Sequence, residues 1–533
     1  MRMRRFAPLL AAGGLLASAL PLLTATQAAA DPVSDYAPSK PSWHRCSADQ
    51  PASYECATIK VPLDYRRPHG QTLDLAISRI KSENPAKRHG VMLLNPGGPG
   101  GSGLDLPLMM QEAMPKDVRD RYDLIGFDPR GVGESSPLTC GLTQAEENFD
   151  RAYRPETFPS DVTWARTVAD KCREKAGAVL PYITTRNTAR DMDAIRVALG
   201  ERKLSYVGYS YGTYLGAVYA QMFPARTDRF VLDSGVDPQR AWRGMIQVWA
   251  TEAEPAFARW TSWTAERDST YGLGATPQAV SQTLWGLVAR ADREPIEFEG
   301  LKLTGDDIRA GARGLFFYPE QAAPVIAALK AAAEGKPQPA GMAAADVKKA
   351  LGRQPESAPE PARAGGPASD NGTAVFWSVV CGDTDAWPRD PERYRRDAVR
   401  DKAAYPLYGD MASNIKPCAF WQRPVEAATP MKTRANVLTV QNEWDSQTPL
   451  VSGQGLHRAL KGSRMVLALG GEGHGVYLAD PRSCANAPVN DYLITGRLPA
   501  KDINCRTAPG TAERHEARPG TTPLPLPSTP GRF

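Results

Sequence analysis

Three side chains suited to acyl transfer occur in this chain in the order Ser, Asp, His. Ser210 is the centre of Gly208-Tyr209-Ser210-Tyr211-Gly212, Asp445 lies between Asn442 and Pro449, and His474 lies between Gly470 and Gly475. A serine hydroxyl is a weak nucleophile until an adjacent base takes its proton. An imidazole does this when a carboxylate holds its tautomer and stabilises the imidazolium. Ser210 is therefore the expected nucleophile, His474 the base and Asp445 the orienting acid. The chain has six histidines, so the base can be chosen by position. His44, His69 and His89 precede strands, His457 sits in a helix-like segment and His515 is in the tail. For the acid, Glu443, Asp233 and Asp237 are rivals; Asp445 is preferred for its place on a loop just before Pro449.

Acyl transfer also needs donors for a developing oxyanion. The apolar run Val91 to Leu94 leads into Asn95-Pro96-Gly97-Gly98-Pro99-Gly100-Gly101-Ser102-Gly103, a loop able to expose backbone N–H groups. Gly98 is the expected loop donor and Tyr211, the residue after the nucleophile, supplies the second. A phosphate cradle is the competing reading, but no G-K-[ST] follows and the glycine spacing does not suit a dinucleotide. Asp128 and Arg130 in Asp128-Pro129-Arg130-Gly131 are read as closing a turn through local hydrogen bonds and a mutual salt bridge.

These residues can meet only if strands carry them to one edge. Ala57 to Pro62 and Thr72 to Lys81 read as an edge hairpin. Val91 to Leu94, Tyr122 to Phe127, Leu204 to Val207, Arg229 to Asp233, Ala435 to Gln441 and Arg464 to Leu469 read as buried parallel strands. In a parallel sheet the C-terminal strand ends share one rim, which is where the three candidates fall. Between the fourth and fifth of these the rhythm changes to helix-length segments, Trp242 to Trp263, Pro277 to Ala291 and Gln321 to Ala333. The expected architecture is thus α/β, mostly parallel, with an inserted helical cap. Its parts are a core from 31–238, the cap from 239–400, a second core part from 401–506 and a Pro-rich tail from 507–533. Lys336 to Ser369, crowded with Ala and Pro, reads as a linker inside the cap.

Of 533 residues, 42% are hydrophobic and 23% charged, a globular balance. A net charge of +5 is too small on this length to imply nucleic acid as a partner. Residues 1–30 read as a signal peptide: Arg2, Arg4 and Arg5 precede an Ala/Leu-rich stretch that ends in Ala28-Ala29-Ala30. Prolines and paired glycines argue against a membrane anchor there, and the mature chain is expected to be secreted, membrane-free and monomeric. Eight cysteines, all beyond the leader, fit an oxidising compartment. Pairing sequence neighbours gives Cys46–Cys56, Cys140–Cys172, Cys381–Cys418 and Cys484–Cys505, although spacing alone leaves the connectivity open. No metal-ligand spacing and no cofactor fingerprint is found. Asn371-Gly372-Thr373 matches a glycosylation sequon.

The strings G-Y-S-Y-G-T-Y-L-G, N-P-G-G-P-G-G-S-G, F-D-P-R-G-V-G, D-S-Q-T-P and G-E-G-H-G together resemble the secreted tripeptidyl aminopeptidases of actinomycetes, a branch of the α/β-hydrolase fold related to prolyl aminopeptidases. The resemblance runs from about Trp43 to Cys505. It implies a serine exopeptidase that removes short peptides, tripeptides, from free N-termini, with Asp445 and His474 in the family's C-terminal segment and the cysteines in local disulfides. The Ala/Pro stretch of the cap departs from the pattern. Such an enzyme must receive an ammonium, for which a carboxylate is the natural partner; Glu254 and Asp383 are the expected residues, from a set that includes Glu252 and Asp385. An esterase or lipase built on the same triad, and a catalytically silent exported binding protein, are the alternatives.

Overall fold

Short runs of Val, Leu, Ile and Tyr that are apolar on both faces form strands buried on both faces, and such strands run through the middle of this protein. The computed structural model describes residues 36–337, 343–351 and 367–506. The expected leader, the Pro-rich tail and most of the Ala/Pro linker lie outside the described residues. The strands are, in chain order, β1 (His44–Arg45), β2 (Tyr54–Pro62), β3 (Thr72–Ile80), β4 (Gly90–Asn95), β5 (Tyr122–Phe127), β6 (Leu204–Tyr209), β7 (Thr227–Asp233), β8 (Ile296–Phe298), β9 (Leu301–Leu303), β10 (Val437–Trp444), β11 (Arg464–Glu472) and β12 (Ile503–Arg506). Ten of them make one sheet in the order β1-β2-β3-β5-β4-β6-β7-β10-β11-β12, while β8 and β9 pair separately. The first four are antiparallel neighbours, and every pair from β5 to β12 is parallel. The chain therefore has the α/β-hydrolase layout expected from the sequence, with β4, β6, β7, β10 and β11 ending on one rim.

The short pair β8 and β9 escaped the sequence reading, as did two strands of the main sheet for a shared reason. β12 has the exposure pattern of an edge strand, with alternating partly buried and exposed residues and no apolar run. It is held beside β11 by the Cys484–Cys505 disulfide. β1 has two residues, both exposed, tied to β2 by Cys46–Cys56. Cys140–Cys172 and Cys381–Cys418 are the other two disulfides, so each bridge joins cysteines that are neighbours in sequence.

Between β7 and β10 the described chain is almost wholly helical. Its longest helices are Arg243–Ala265, Pro277–Arg293, Pro319–Ala333, Pro391–Ala404 and Asn371–Gly382. The helical stretch extends past the expected boundary at residue 400, through Gly409–Ser413, and the sheet resumes only at Val437. Ion pairs explain the extension: Arg243 binds Asp397 at 2.8 Å, and Arg309 bonds buried Asp410, so these last helices belong with the earlier ones. The segment after Cys140 leads into the helix Phe158–Ala176, which carries Cys172 and packs against this region through the Asn414–Asp161 bond of 2.9 Å.

The Asp128–Arg130 turn is also corrected. Asp128 does accept locally, from the Glu134 N–H at 2.8 Å, and it holds the glycine-rich loop through the Ser102 hydroxyl and the Gly103 N–H. Arg130 binds Asp191 instead, 2.6 Å away in the helix Thr185–Ala198, with both side chains fully buried. A guanidinium removed from water needs a bidentate partner, and the neighbouring Asp128 carboxylate is already engaged by three donors. Asn371 of the sequon is likewise buried, its amide donating to the Gly131 and Leu138 carbonyls at 2.7 Å.

Candidate active site

Ser210 follows β6 and precedes the helix Tyr211–Met222, with φ 56° and ψ −124°. A non-glycine residue in that region is strained and persists only where its surroundings impose it. The glycines two places away make the turn possible. A Cβ on Gly212 would lie 2.8 Å from Asn95 Oδ1, and one on Gly208 would lie 2.7 Å from the Gly212 carbonyl oxygen. The Ser210 N–H donates to the Asp233 carbonyl at 3.0 Å and the Thr213 hydroxyl donates to the Ser210 carbonyl at 2.6 Å. Backbone bonds on both sides thus hold the turn.

The glycine-rich loop after β4 lies directly against this turn. A Cβ on Gly97 would sit 2.6 Å from the Tyr209 carbonyl oxygen, 2.8 Å from Ser210 Cβ and 3.3 Å from the Tyr211 nitrogen, so no other residue could approach so closely. Asn95 Oδ1 accepts the Gly97 N–H at 3.1 Å and orients the loop. Gly98, Tyr211 and Ser210 all border one cavity. Tyr211 also opens its helix, whose N-terminal partial positive charge faces the same space.

Asp445 and His474 are in contact. His474 Nδ1 lies 3.0 Å from each Asp445 oxygen. With Nδ1–H donating to a carboxylate, Nε2 is left with its lone pair, the tautomer a general base requires. Asp445 is fully buried and its remaining capacity is filled by the Gln447 N–H at 2.8 Å, the Thr448 N–H at 3.0 Å and the Thr448 hydroxyl at 2.8 Å. Burial alone would push its carboxyl up, but the attraction of His474 and these bonds hold it below the usual range. Thr448 and Ser210 line the same cavity, and the Thr448 hydroxyl is 3.4 Å from His474 Nδ1, so the acid–base pair stands on the nucleophile's side of the sheet.

The rival acids lie elsewhere. Glu443 accepts the Gly470 N–H at 2.6 Å, and Asp237 caps the turn at Gln239. Asp233 is fully buried and bonds to the backbone beyond His474. His457 pairs with Ser463 and Asp502, and His89 with Asp228.

The cavity is walled by Val236, Trp242, Met245, Ile246, Trp249, Phe376 and Val380. Neither acid expected to receive an ammonium lines it. Glu254 turns to the other side of its helix and accepts the Leu407 N–H at 3.0 Å. Asp383 has both oxygens occupied, by the Thr185 N–H at 2.8 Å, the Thr185 hydroxyl at 2.6 Å and the Trp242 indole N–H at 3.1 Å. Burial pushes its carboxyl up to about 6. Its observed work is to hold Trp242 in the cavity wall. The wall residues left no motif because apolar positions on helices look alike whether they face a core or a substrate.

A sheet of this order, with a serine on a strained strand-to-helix turn and a carboxylate–imidazole pair on the loops two and three strands away, defines the α/β-hydrolase class. Residues 90–293 match the alpha/beta hydrolase fold family and residues 405–505 the TAP-like protein family. The chain is 35% identical over 486 residues to a tripeptidyl aminopeptidase of Streptomyces lividans, covering 87% of this chain and 86% of that protein. It is 28% identical to the serine protease Hip1 of Mycobacterium tuberculosis, covering 87% and 90%. A Mycobacterium tuberculosis protein named carboxylesterase B is 30% identical, covering 92% and 96%. The chain belongs to the tripeptidyl aminopeptidase family.

Proposed function

We propose that this protein is a serine exopeptidase that releases short peptides, tripeptides, from free N-termini. The observation that carries the reading is Ser210 at the floor of a cavity bordered by inserted helices, in a chain of the tripeptidyl aminopeptidase family. Ser210 Oγ attacks the scissile carbonyl carbon while its proton passes to His474 Nε2. The carbonyl oxygen, now an anion, accepts from the Gly98 and Tyr211 N–H groups. Collapse breaks the C–N bond, and the leaving amine takes the proton from His474. Water then repeats the sequence on the acyl-enzyme and frees Ser210. A roof of helices admits a chain end and excludes the middle of a folded protein, which favours an exopeptidase.

The terminal ammonium then needs an acid close to the cavity. Glu252 does not border the cavity in this structure, but it lies one helical turn beyond the wall residue Trp249, is half-buried, and burial raises its carboxyl; it is the acid this reading assigns. Peptides reach the enzyme outside the cell; four disulfides, and the absence among the described residues of a helix long and apolar enough to cross a membrane, accord with that. The protein acts as a monomer, without cofactor and without nucleic acid.

The apolar wall and the carboxylesterase relative favour a second reading, hydrolysis of short acyl esters. Rates on free tripeptide anilides, their N-acetylated forms and acyl esters separate the two. The exopeptidase reading expects a free tripeptide to be released intact, seen by mass spectrometry, and N-acetylation to remove most activity. Equal rates on blocked peptides, or activity on esters alone, would discard it. Glu252→Gln is expected to raise KM for free peptides about tenfold or more and to leave ester hydrolysis unchanged. Fluorophosphonate labelling that disappears in Ser210→Ala excludes a silent binding protein.

A further inference from the structure

His474 sits on an irregular segment beyond β11, yet that segment is bonded along nearly its whole length. On one side, Asp233 and Ser234 at the end of β7 take three successive backbone N–H groups. The Ser234 hydroxyl accepts from Gly475 at 2.9 Å. The Asp233 carboxylate accepts from Val476 at 3.1 and 3.2 Å and from Tyr477 at 2.7 Å. Ser234 in turn donates to Asp233 at 3.0 Å. On the other side, the Asn442 amide nitrogen of β10 lies 3.3, 3.0 and 3.1 Å from the carbonyl oxygens of Glu472, Gly473 and Gly475. The Tyr209 hydroxyl, one residue before the nucleophile, donates to the Tyr477 carbonyl at 2.9 Å.

Asp233 does a second thing. Its own backbone carbonyl accepts the Ser210 N–H at 3.0 Å. One residue is therefore bonded through its main chain to the nucleophile's turn and through its side chain to the base's loop. Both Asp233 and Ser234 are fully buried, and removing a carboxylate from water is costly unless donors converge on it. Here they converge as a row of consecutive N–H groups, the arrangement that binds an anion best. Burial pushes this carboxyl up to about 7 even so, a cost that a loop anchor of neutral groups would not carry.

We infer that Asp233, with Ser234, is a positioning residue that sets the separation between Ser210 and His474. The inference rests on the proposed roles of those two residues, and not on the substrate being a peptide. Proton transfer from a hydroxyl to an imidazole needs the two heavy atoms within hydrogen-bond reach, and misplacement by about 1 Å can cost about a hundredfold in rate. Asp445 fixes the ring's tautomer from the front; Asp233 fixes the backbone behind it.

The test uses the whole chain with Asp233→Asn and Ser234→Gly. Asparagine presents an NH2 to the Val476 and Tyr477 donors in place of an oxygen. Glycine removes the hydroxymethyl group, at a position whose φ of 63° suits it. For each variant, active sites are titrated, kcat and KM are measured on a free tripeptide anilide and on a short ester, and the second-order rate of fluorophosphonate labelling is followed. The expected result is a fall in kcat per titrated site of about a hundredfold for Asp233→Asn and about tenfold for Ser234→Gly. KM should stay within about twofold, and labelling should slow in parallel. Unchanged kcat per titrated site and unchanged labelling in Ser234→Gly would overturn the inference, as would a loss that appears only as fewer active sites or a lower melting temperature. Should Asp233→Asn fail to fold, Ser234→Gly decides alone. Labelling needs only Ser210 and its base, so a chain that cleaves esters and not peptides tests the inference equally well.

Discussion

The sheet rim and the inserted helices meet at one cavity and differ in almost every other respect. At the rim, two carboxylates are buried and saturated: Asp445 takes bonds from His474, Gln447 and Thr448, and Asp233 takes them from Ser234, Val476 and Tyr477. On the inserted side the wall is Trp242, Met245, Ile246, Trp249, Phe376 and Val380. Directional bonds hold angles and distances, which proton transfer needs; apolar surface holds shape, which selects a side chain. On the proposed function, the chemistry is built where directional bonds constrain the chain, and selectivity where apolar surface sets the shape. The regions touch through a few specific bonds, such as Trp249 to the Gln447 carbonyl and Thr185 to Asp383.

The comparison is most sharply tested at the rim. Ser210→Ala should lower kcat about a millionfold without unfolding the chain, read by turnover and by a melting curve. Asp445→Asn should cost about ten-thousandfold in kcat with KM little changed, because the imidazole loses its tautomer while the cavity is untouched. An apolar wall predicts smaller and opposite effects on selectivity. Ile246→Ala should raise kcat/KM for substrates with bulky acyl-end side chains relative to small ones by about tenfold, and Val380→Phe should reverse the preference. If either wall variant instead changed the rate of fluorophosphonate labelling tenfold, the division between the regions would fail.

The smallest effect concerns the seam. Burial raises the Asp383 carboxyl to about 6, so between its ordinary value near 4 and about 6 the folded chain keeps a proton that the unfolded chain has released. More protons bound in the native state means that stability falls as pH rises through this window and is greatest below it. Asp383→Asn removes the titration. The difference in unfolding free energy, native chain minus variant, should therefore shrink by up to roughly 3 kcal/mol between about pH 4 and pH 6.5, measured by denaturant titration. An unchanged difference across that range would show that folding does not raise the Asp383 carboxyl.

Legibility followed the same division. Runs such as Val91 to Leu94 and Tyr122 to Phe127 announce buried strands, and a glycine either side of Ser210 announces the turn, because there the backbone tolerates few residues. The β7 end is legible too, since Asp233 stands there as a rival acid. Its bonds to Val476 and Tyr477 were not foreseeable, because they join residues more than 240 positions apart. Arg130 was paired with the wrong aspartate for a related reason: local partners are visible in sequence and a helix arriving from residue 191 is not. Glu254 and Asp383 were chosen as acids near the cavity, and both turned out to serve backbone and indole donors.

By itself the sequence determined the order of strands and helices, the turn at Ser210 and which loops carry polar candidates, since these depend on side-chain periodicity and on backbone conformations that only glycine adopts freely. Tertiary structure decided which candidates touch, where the helical insertion ends and which face of the helix Arg243–Ala265 the cavity sees. Those outcomes depend on the register in which β6, β7, β10 and β11 lie side by side, and a difference of one residue there would turn every inward group outward.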